Sequence, residues 1–132
     1  MKQKIQIEYP MKNISLNVLW AYIGSANGLS DWFADEVLVK DNKFYTFRWD
    51  GSEQEAELLN SRTGHYARFR WLDDDDDEKT YFEFKISINE LTAEVVLIIT
   101  DFAESDEENE VISLWNKQVN SLRRMAGIFS IV

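Results

Sequence analysis

The chain has 132 residues, 45% of them hydrophobic and 14% aromatic, enough for a folded domain with an aromatic-rich core. It has no cysteine, which excludes a disulfide scaffold, a thiolate metal site and a cysteine nucleophile. A net charge of −10 repels phosphate backbones and anionic headgroups, so neither nucleic-acid nor peripheral membrane binding is expected as a main role. At the start, Ile5, Ile7 and Tyr9 alternate with Lys4, Gln6 and Glu8. That pattern predicts a half-buried strand ended by Pro10, and not a signal peptide. The period then changes. Ser15 is a good N-cap, Leu16, Leu19, Trp20 and Ile23 form one helical face, and Gly24 closes the helix. Asn27-Gly28 reads as a turn or kink, and residues 28–33 as a second short helix carrying Leu29, Trp32 and Phe33.

From Asp35 the pattern is strand after strand. Val37 and Val39 alternate in the first, and Asp41-Asn42 makes a turn. Tyr45, Phe47 and Trp49 share one face of the next, with Asp50-Gly51 as a hairpin turn. A weaker strand over residues 53–60 places Ala56 and Leu58 together. After Thr63-Gly64, Ala67, Phe69 and Trp71 alternate with Tyr66, Arg68 and Arg70. Phe82, Phe84, Ile86 and Ile88 mark the clearest strand, and residues 93–100 the last. Turns recur at about ten-residue spacing, the signature of an antiparallel meander. The longest apolar run, residues 95–99, is too short to cross a bilayer.

The chain then changes period once more. Val111, Leu114, Trp115, Gln118, Leu122, Met125 and Phe129 recur at helical steps, and Val119 and Ala126 widen the stripe. Ser105 is the expected N-cap, with Glu108 completing a capping box, for a helix from Ser105 to about Phe129. The acidic cluster from Asp101 to Glu110 is assigned to the positive end of that helix, and Arg123 and Arg124 to its negative end. A meander with one apolar face must bury it, and this helix is the available cover. The first strand is expected to join the sheet edge beside the last. The fold class is α+β: about seven antiparallel strands curved around a long C-terminal helix, in one domain spanning residues 1–132.

Few residues point to chemistry. The single histidine, His65, sits beside Gly64 in a turn and has no orienting carboxylate in view. No nucleophile elbow, zinc signature, phosphate loop or dinucleotide fingerprint occurs. Asp73, Asp74, Asp75, Asp76, Asp77 and Glu78 lack the alternating spacing and glycine of a calcium loop, and read as a solvated hairpin loop. No catalytic residue, cofactor or metal ligand is therefore nominated. Arg68 and Arg70 are expected to pair with Glu83 or Glu57 across strands on the outer face.

The order of elements resembles the helix-grip fold of the START-like (SRPBCC, Bet v 1-like) superfamily, closest to small bacterial domains related to the activator of Hsp90 ATPase. The local carriers are Leu19-Trp20-Ala21-Tyr22-Ile23, then Gly28-Leu29-Ser30-Asp31-Trp32-Phe33, with Trp115 and Leu122 on the inner face of the last helix. The resemblance covers essentially the whole chain. It implies an elongated cavity between sheet and helix, which in many relatives holds a hydrophobic molecule. Some relatives are cyclases, and others act on a protein partner. The first reading is a non-enzymatic domain binding a small hydrophobic ligand, lipid-like or aromatic. Its expected contacts are Trp32, Phe47, Trp49, Phe69, Trp71, Phe84, Trp115, Gln118 and Leu122, with Gln118 orienting one polar group. The alternative is a protein-interaction domain whose aromatics fill the core, and a weaker one is a cyclase-type enzyme. A monomer or homodimer and a cytoplasmic location complete the expectation.

Overall fold

The structure, a computed structural model, describes residues 2–72 and 80–127. The acidic run 73–78, Phe129 and the apolar tail 128–132 lie outside the described residues. The chain runs β1 (Gln3–Met11), α1 (Leu16–Ile23), α2 (Ala26–Trp32), β2 (Glu36–Lys40), β3 (Phe44–Trp49), β4 (Ser52–Arg62), β5 (Tyr66–Trp71), β6 (Phe82–Ile88), β7 (Val95–Ala103) and α3 (Glu108–Met125). All seven strands form one antiparallel sheet in the order β1-β7-β6-β5-β4-β3-β2. β1 thus lies beside β7, as the sequence predicts. The architecture is a curved sheet gripping the C-terminal helix.

Side chains in register across the sheet explain why one face is buried. Tyr45 lies opposite Ala56, Ala56 opposite Trp71, and Phe69 opposite Phe82. Because side chains alternate faces, these pairs and their neighbours two residues on form one concave aromatic surface. Phe47, Phe69, Phe82 and Phe84 are its fully buried centre, with the small Ala56 and Ala67 making room among them. Offset and edge-on ring contacts of this kind each contribute about 0.5–1.5 kcal/mol beyond the burial of area. On the opposite face Arg68 Nε donates to Glu83 Oε2 at 2.7 Å, and Arg70 stands opposite Glu57, the pairing expected. Arg48 bridges Glu36 and Glu53 at 2.6 and 2.7 Å.

β4 is the longest strand, and its register slips by one residue between Leu58 and Asn60, leaving Leu59 as an extra, outward residue. Such a bulge bends the strand and sharpens the twist. Here the bulge lies beside α1, where Leu58 and Ser61 face Trp20 and Ile23. Only about 20 Å³ remains open there, against Trp20, Leu58 and Phe69.

Several expected boundaries are corrected. Pro10 does not end β1; it sits within it, opposite Val96. β1 is a terminal strand, where a missing N–H can face away from the ladder. Asn27-Gly28 is not a turn. Ser25 Oγ accepts from Gly28 N at 3.0 Å, starting α2 at Ala26 and carrying both residues into the helix. Nor does Ser105 cap the last helix. Residues 105–107 form a turn, Glu107 N donates to Glu104 O, and Glu107 occupies the N-cap without a side-chain bond. The helix therefore begins at Glu108. Glu108 and Glu110 still complement its positive end, and Arg123 and Arg124 its negative end.

The inward stripe of α3 is also narrower than expected. Trp115, Val119 and Leu122 are buried, but Leu114 is 59% exposed and Met125 52%. Three of the bonds that tie α3 across the grip lie toward β1 and α1. Tyr9 Oη donates to Asn116 Oδ1 (2.6 Å), Tyr22 Oη to Met125 O (3.0 Å) and Arg123 Nη2 to Pro10 O (2.9 Å). These bonds fix the middle and far end of the helix on β1 and α1, while its first turns stand over a gap.

Candidate functional site

That gap is a cavity of about 400 Å³ between the first half of α3 and the near ends of β3, β4, β5 and β7. Val111, Leu114, Trp115 and Gln118 supply its helical wall, and Trp49, Gln54, Trp71 and Asp101 its sheet wall. Phe33, immediately after α2, closes one side. It packs edge-on against Trp49 (5.6 Å between ring centres) and stacks on Trp115 (5.7 Å, 13° between planes). Trp49 in turn meets Trp71 at 6.4 Å. The walls are thus a continuous arc of rings, Trp71, Trp49, Phe33 and Trp115.

Local sequence explains each placement. Trp49 is the last inward residue of β3 before the Asp50-Gly51 turn, where Gly51 takes φ +82°. Trp71 ends β5 and stacks on Phe82 at 4.6 Å. The backbone carbonyl of Phe33 ties three elements together: it accepts Trp49 Nε1–H at 2.8 Å and Gln118 Nε2–H at 3.1 Å. An unpaired carbonyl at a helix end is thereby satisfied, and so is the inward Gln118.

Asp101 is the polar counterpart of the rings. It follows Val95, Leu97 and Ile99 in the inward phase of β7, opposite Ile5. Its Oδ2 accepts Trp115 Nε1–H at 2.9 Å and its Oδ1 accepts Phe102 N–H at 2.8 Å. Burial raises its carboxyl above the ordinary value of 3.8, against the lowering effects of those two bonds and of Lys2. Lys2 acts from the other side of Asp101. It lines a smaller hollow of about 210 Å³ with Thr80, Tyr81 and Phe102, and Trp71 and Asp101 form the partition between the two spaces.

Of the nine nominated contacts, Trp49, Trp71, Trp115 and Gln118 meet around this cavity. Phe47, Phe69, Phe84 and Leu122 lie behind it, fully buried in the core. Trp32 is buried too, its Nε1–H held by Tyr22 O at 2.8 Å and its ring edge-on to Phe84. Sequence reasoning passed over Phe33, Gln54 and Asp101. The signal for Asp101 was present: continuing the two-residue phase of β7 places it inward. Its assignment to the helix N-terminus is corrected, because β7 runs on to Ala103. Leu114 belongs to the cavity rim, which is why an apolar residue stands so exposed.

The comparisons with known proteins agree with this geometry. The family model of the START-like superfamily domain matches residues 1–128. The solution structure of a Bacteroides fragilis protein is 44% identical, with a TM-score of 0.67 over 98% of this chain and 94% of that one. The Aha1 dimer from Colwellia psychrerythraea gives a TM-score of 0.75 at 14% identity, covering 91% of this chain and 92% of that one. DynU16, a protein of the dynemicin biosynthetic locus, gives 0.74 at 13% identity; the match covers 92% of this chain and 46% of that one. At such identities the last two show likeness of fold alone. No curated protein matches this chain. A family model spanning nearly every residue, on a curved seven-stranded sheet closed by its C-terminal helix, establishes that the chain belongs to the START-like superfamily.

Proposed function

We propose that this domain binds a small hydrophobic ligand in the cavity under the first half of α3. One observation carries the reading. The aromatic load that could have filled the grip leaves about 400 Å³ open, within the 300–1,000 Å³ usual for small-molecule sites, and lines it with rings. Trp49, Trp71 and Trp115 supply apolar area, and Gln118 and Asp101 orient polar atoms. The lining holds one titratable side chain among the described residues, Asp101, so no acid–base pair supports the cyclase alternative. A cysteine-free, acidic domain suits a cytoplasmic carrier or sensor.

The test is native mass spectrometry of protein purified from its own host, with organic extraction of any passenger. A stoichiometric apolar molecule, absent when Val111→Trp fills the cavity, is the expected result. A bare mass, together with no binding of any apolar probe by wild type, would sink the reading.

A second reading rests on the opposite face. Leu38 and Phe44 alternate with the inward residues of β2 and β3, and with Leu72 they are large exposed hydrophobics around one outer hollow that reaches the terminal strand β2. The structurally similar Aha1 protein is a dimer. A second copy of this chain docked along β2 would cover these residues. Sedimentation velocity of wild type against Leu38→Lys tests it, and a monomer in both would refute it.

A further inference from the structure

The polar groups that line the cavity carry charge of one sign only. Tryptophan normally offers an N–H donor, but two of the three here are already committed: Trp49 to Phe33 O and Trp115 to Asp101. Those bonds commit both N–H groups to acceptors of the protein itself. Gln118 spends one of its two amide N–H donors on the same Phe33 carbonyl, which leaves its carbonyl oxygen and its second N–H. Asp101 has no donor when ionised, and its two bonds use only part of its four lone-pair sites. Gln54, at the exposed rim, carries both a donor and an acceptor. No lysine, arginine or histidine lines the cavity among the described residues.

A lining of this kind discriminates by charge. The faces of the rings carry negative quadrupole potential, strongest for tryptophan, and attract a cation held within about 6 Å. Asp101, bonded to Trp115, adds a formal negative charge when ionised. The burial that raises its carboxyl reflects an anion short of solvent, which a cation would relieve. Lys2, the cation that acts on Asp101 among the described residues, lines the neighbouring hollow and not this space. The net charge of −10 further favours cations on approach. A carboxylate or phosphate headgroup would meet π-faces and a carboxylate, with only neutral N–H donors to receive it.

We infer that the ligand is an organic cation, an alkylated or quaternary amine on an apolar body, with its ammonium caged by Trp49, Trp71 and Trp115 beside Asp101. This deepens the proposed function and rests on it. The ring arc would wrap the methylated nitrogen, while Val111 and Leu114 receive the apolar remainder. A quaternary head suits the site because it needs no hydrogen-bond acceptor for each of its faces, only negative potential around them.

Three probes of one shape separate the possibilities: benzyltrimethylammonium, its neutral carbon isostere neopentylbenzene, and benzylsulfonate. Binding is followed by tryptophan fluorescence and by the indole Nε1–H resonances in nitrogen-15 spectra, which also report that each variant is folded. The cation is expected to bind roughly tenfold or more tightly than the neutral isostere, shifting the cavity indoles, with the anion weakest. Asp101→Asn and, separately, Trp49→Leu should each erase most of that preference. If the neutral isostere binds as tightly as the cation at the same indoles, the cation inference fails and the hydrophobic cavity reading stands. If the preference survives both substitutions, the cage assigned here is wrong. If none of the three moves an indole at millimolar concentration, or at saturation for the isostere, both readings fall.

Discussion

Replacing Trp115 with phenylalanine isolates the bond that ties helix to sheet at the cavity. A phenyl ring keeps the stack on Phe33 and the edge contact with Phe84, but it cannot donate to Asp101 Oδ2. The carboxylate would keep only the Phe102 amide. A hydrogen bond to a charged group contributes about 1.5–3 kcal/mol. The smaller ring also gives up apolar contact, on the order of 1 kcal/mol. The expected loss is therefore about 3 kcal/mol at neutral pH. At roughly 3–4 °C per kcal/mol for a domain of this size, Tm falls by about 10 °C.

Urea unfolding followed by far-ultraviolet circular dichroism measures the loss without depending on tryptophan emission. A cycle with Asp101→Ala extracts the pairwise coupling, expected at about 1.5–3 kcal/mol at pH 7. The sign of its pH dependence follows from burial. Because the folded carboxyl lies above 3.8, the native state takes up its proton before the unfolded chain does. Ionisation of Asp101 thus subtracts stability as pH rises through the folded value, and protonation restores it. Once protonated, Asp101 accepts only a neutral bond, so the coupling should shrink on acidification to about 1 kcal/mol. A coupling under about 0.5 kcal/mol at neutral pH, or one that ignores pH, would refute the reasoning.

Three further outcomes follow from packing. Gly28→Ala should cost about 3 kcal/mol, because a Cβ there would sit 1.9 Å from the Ala21 carbonyl oxygen. Gly51→Ala meets no neighbour but holds φ +82°, so about 1 kcal/mol is expected, and equal losses at the two glycines would contradict the account. Phe33→Ala removes a ring packed against Trp32, Phe47, Trp49, Phe82, Phe84 and Trp115. It should cost about 3–5 kcal/mol in denaturant unfolding, and a loss below about 2 would show that the arc repacks. Arg68→Met strands Glu83, whose side chain is only 9% exposed, at a cost of about 2 kcal/mol. Adding Glu83→Gln should recover part of it in the same thermal melt, and no recovery would mean that Arg68 acts through its 4.1 Å contact with Tyr81 instead.

The strands were legible because one face of the sheet is buried and the other wet, which writes a two-residue period into the chain. The helices were legible by the same logic at 3.6 residues. What escaped lay where that periodicity carries a different residue type. Asp101 keeps the inward phase of Val95, Leu97 and Ile99 but is charged, and its acidic neighbours drew it toward the helix. Leu114 is apolar at the right helical step, yet stands over open space instead of the sheet. Phe33 follows a short helix whose capping places it, and periodicity over so few residues cannot choose between it and Trp32. Pattern reports which residues face inward. It does not report whether the space they face is full.

The bulge in β4 gives this fold an adjustable hinge in its sequence. Leu58 pairs with Phe69 before it and Asn60 with Arg68 after it, so deleting Leu59 alone would leave an unbroken ladder with every side chain on its present face. What would change is the bend. The straightened strand would lift away from α1, and the 20 Å³ hollow beside Trp20 would widen. A one-residue insertion or deletion here is thus a means of resizing the interior without rewriting the core.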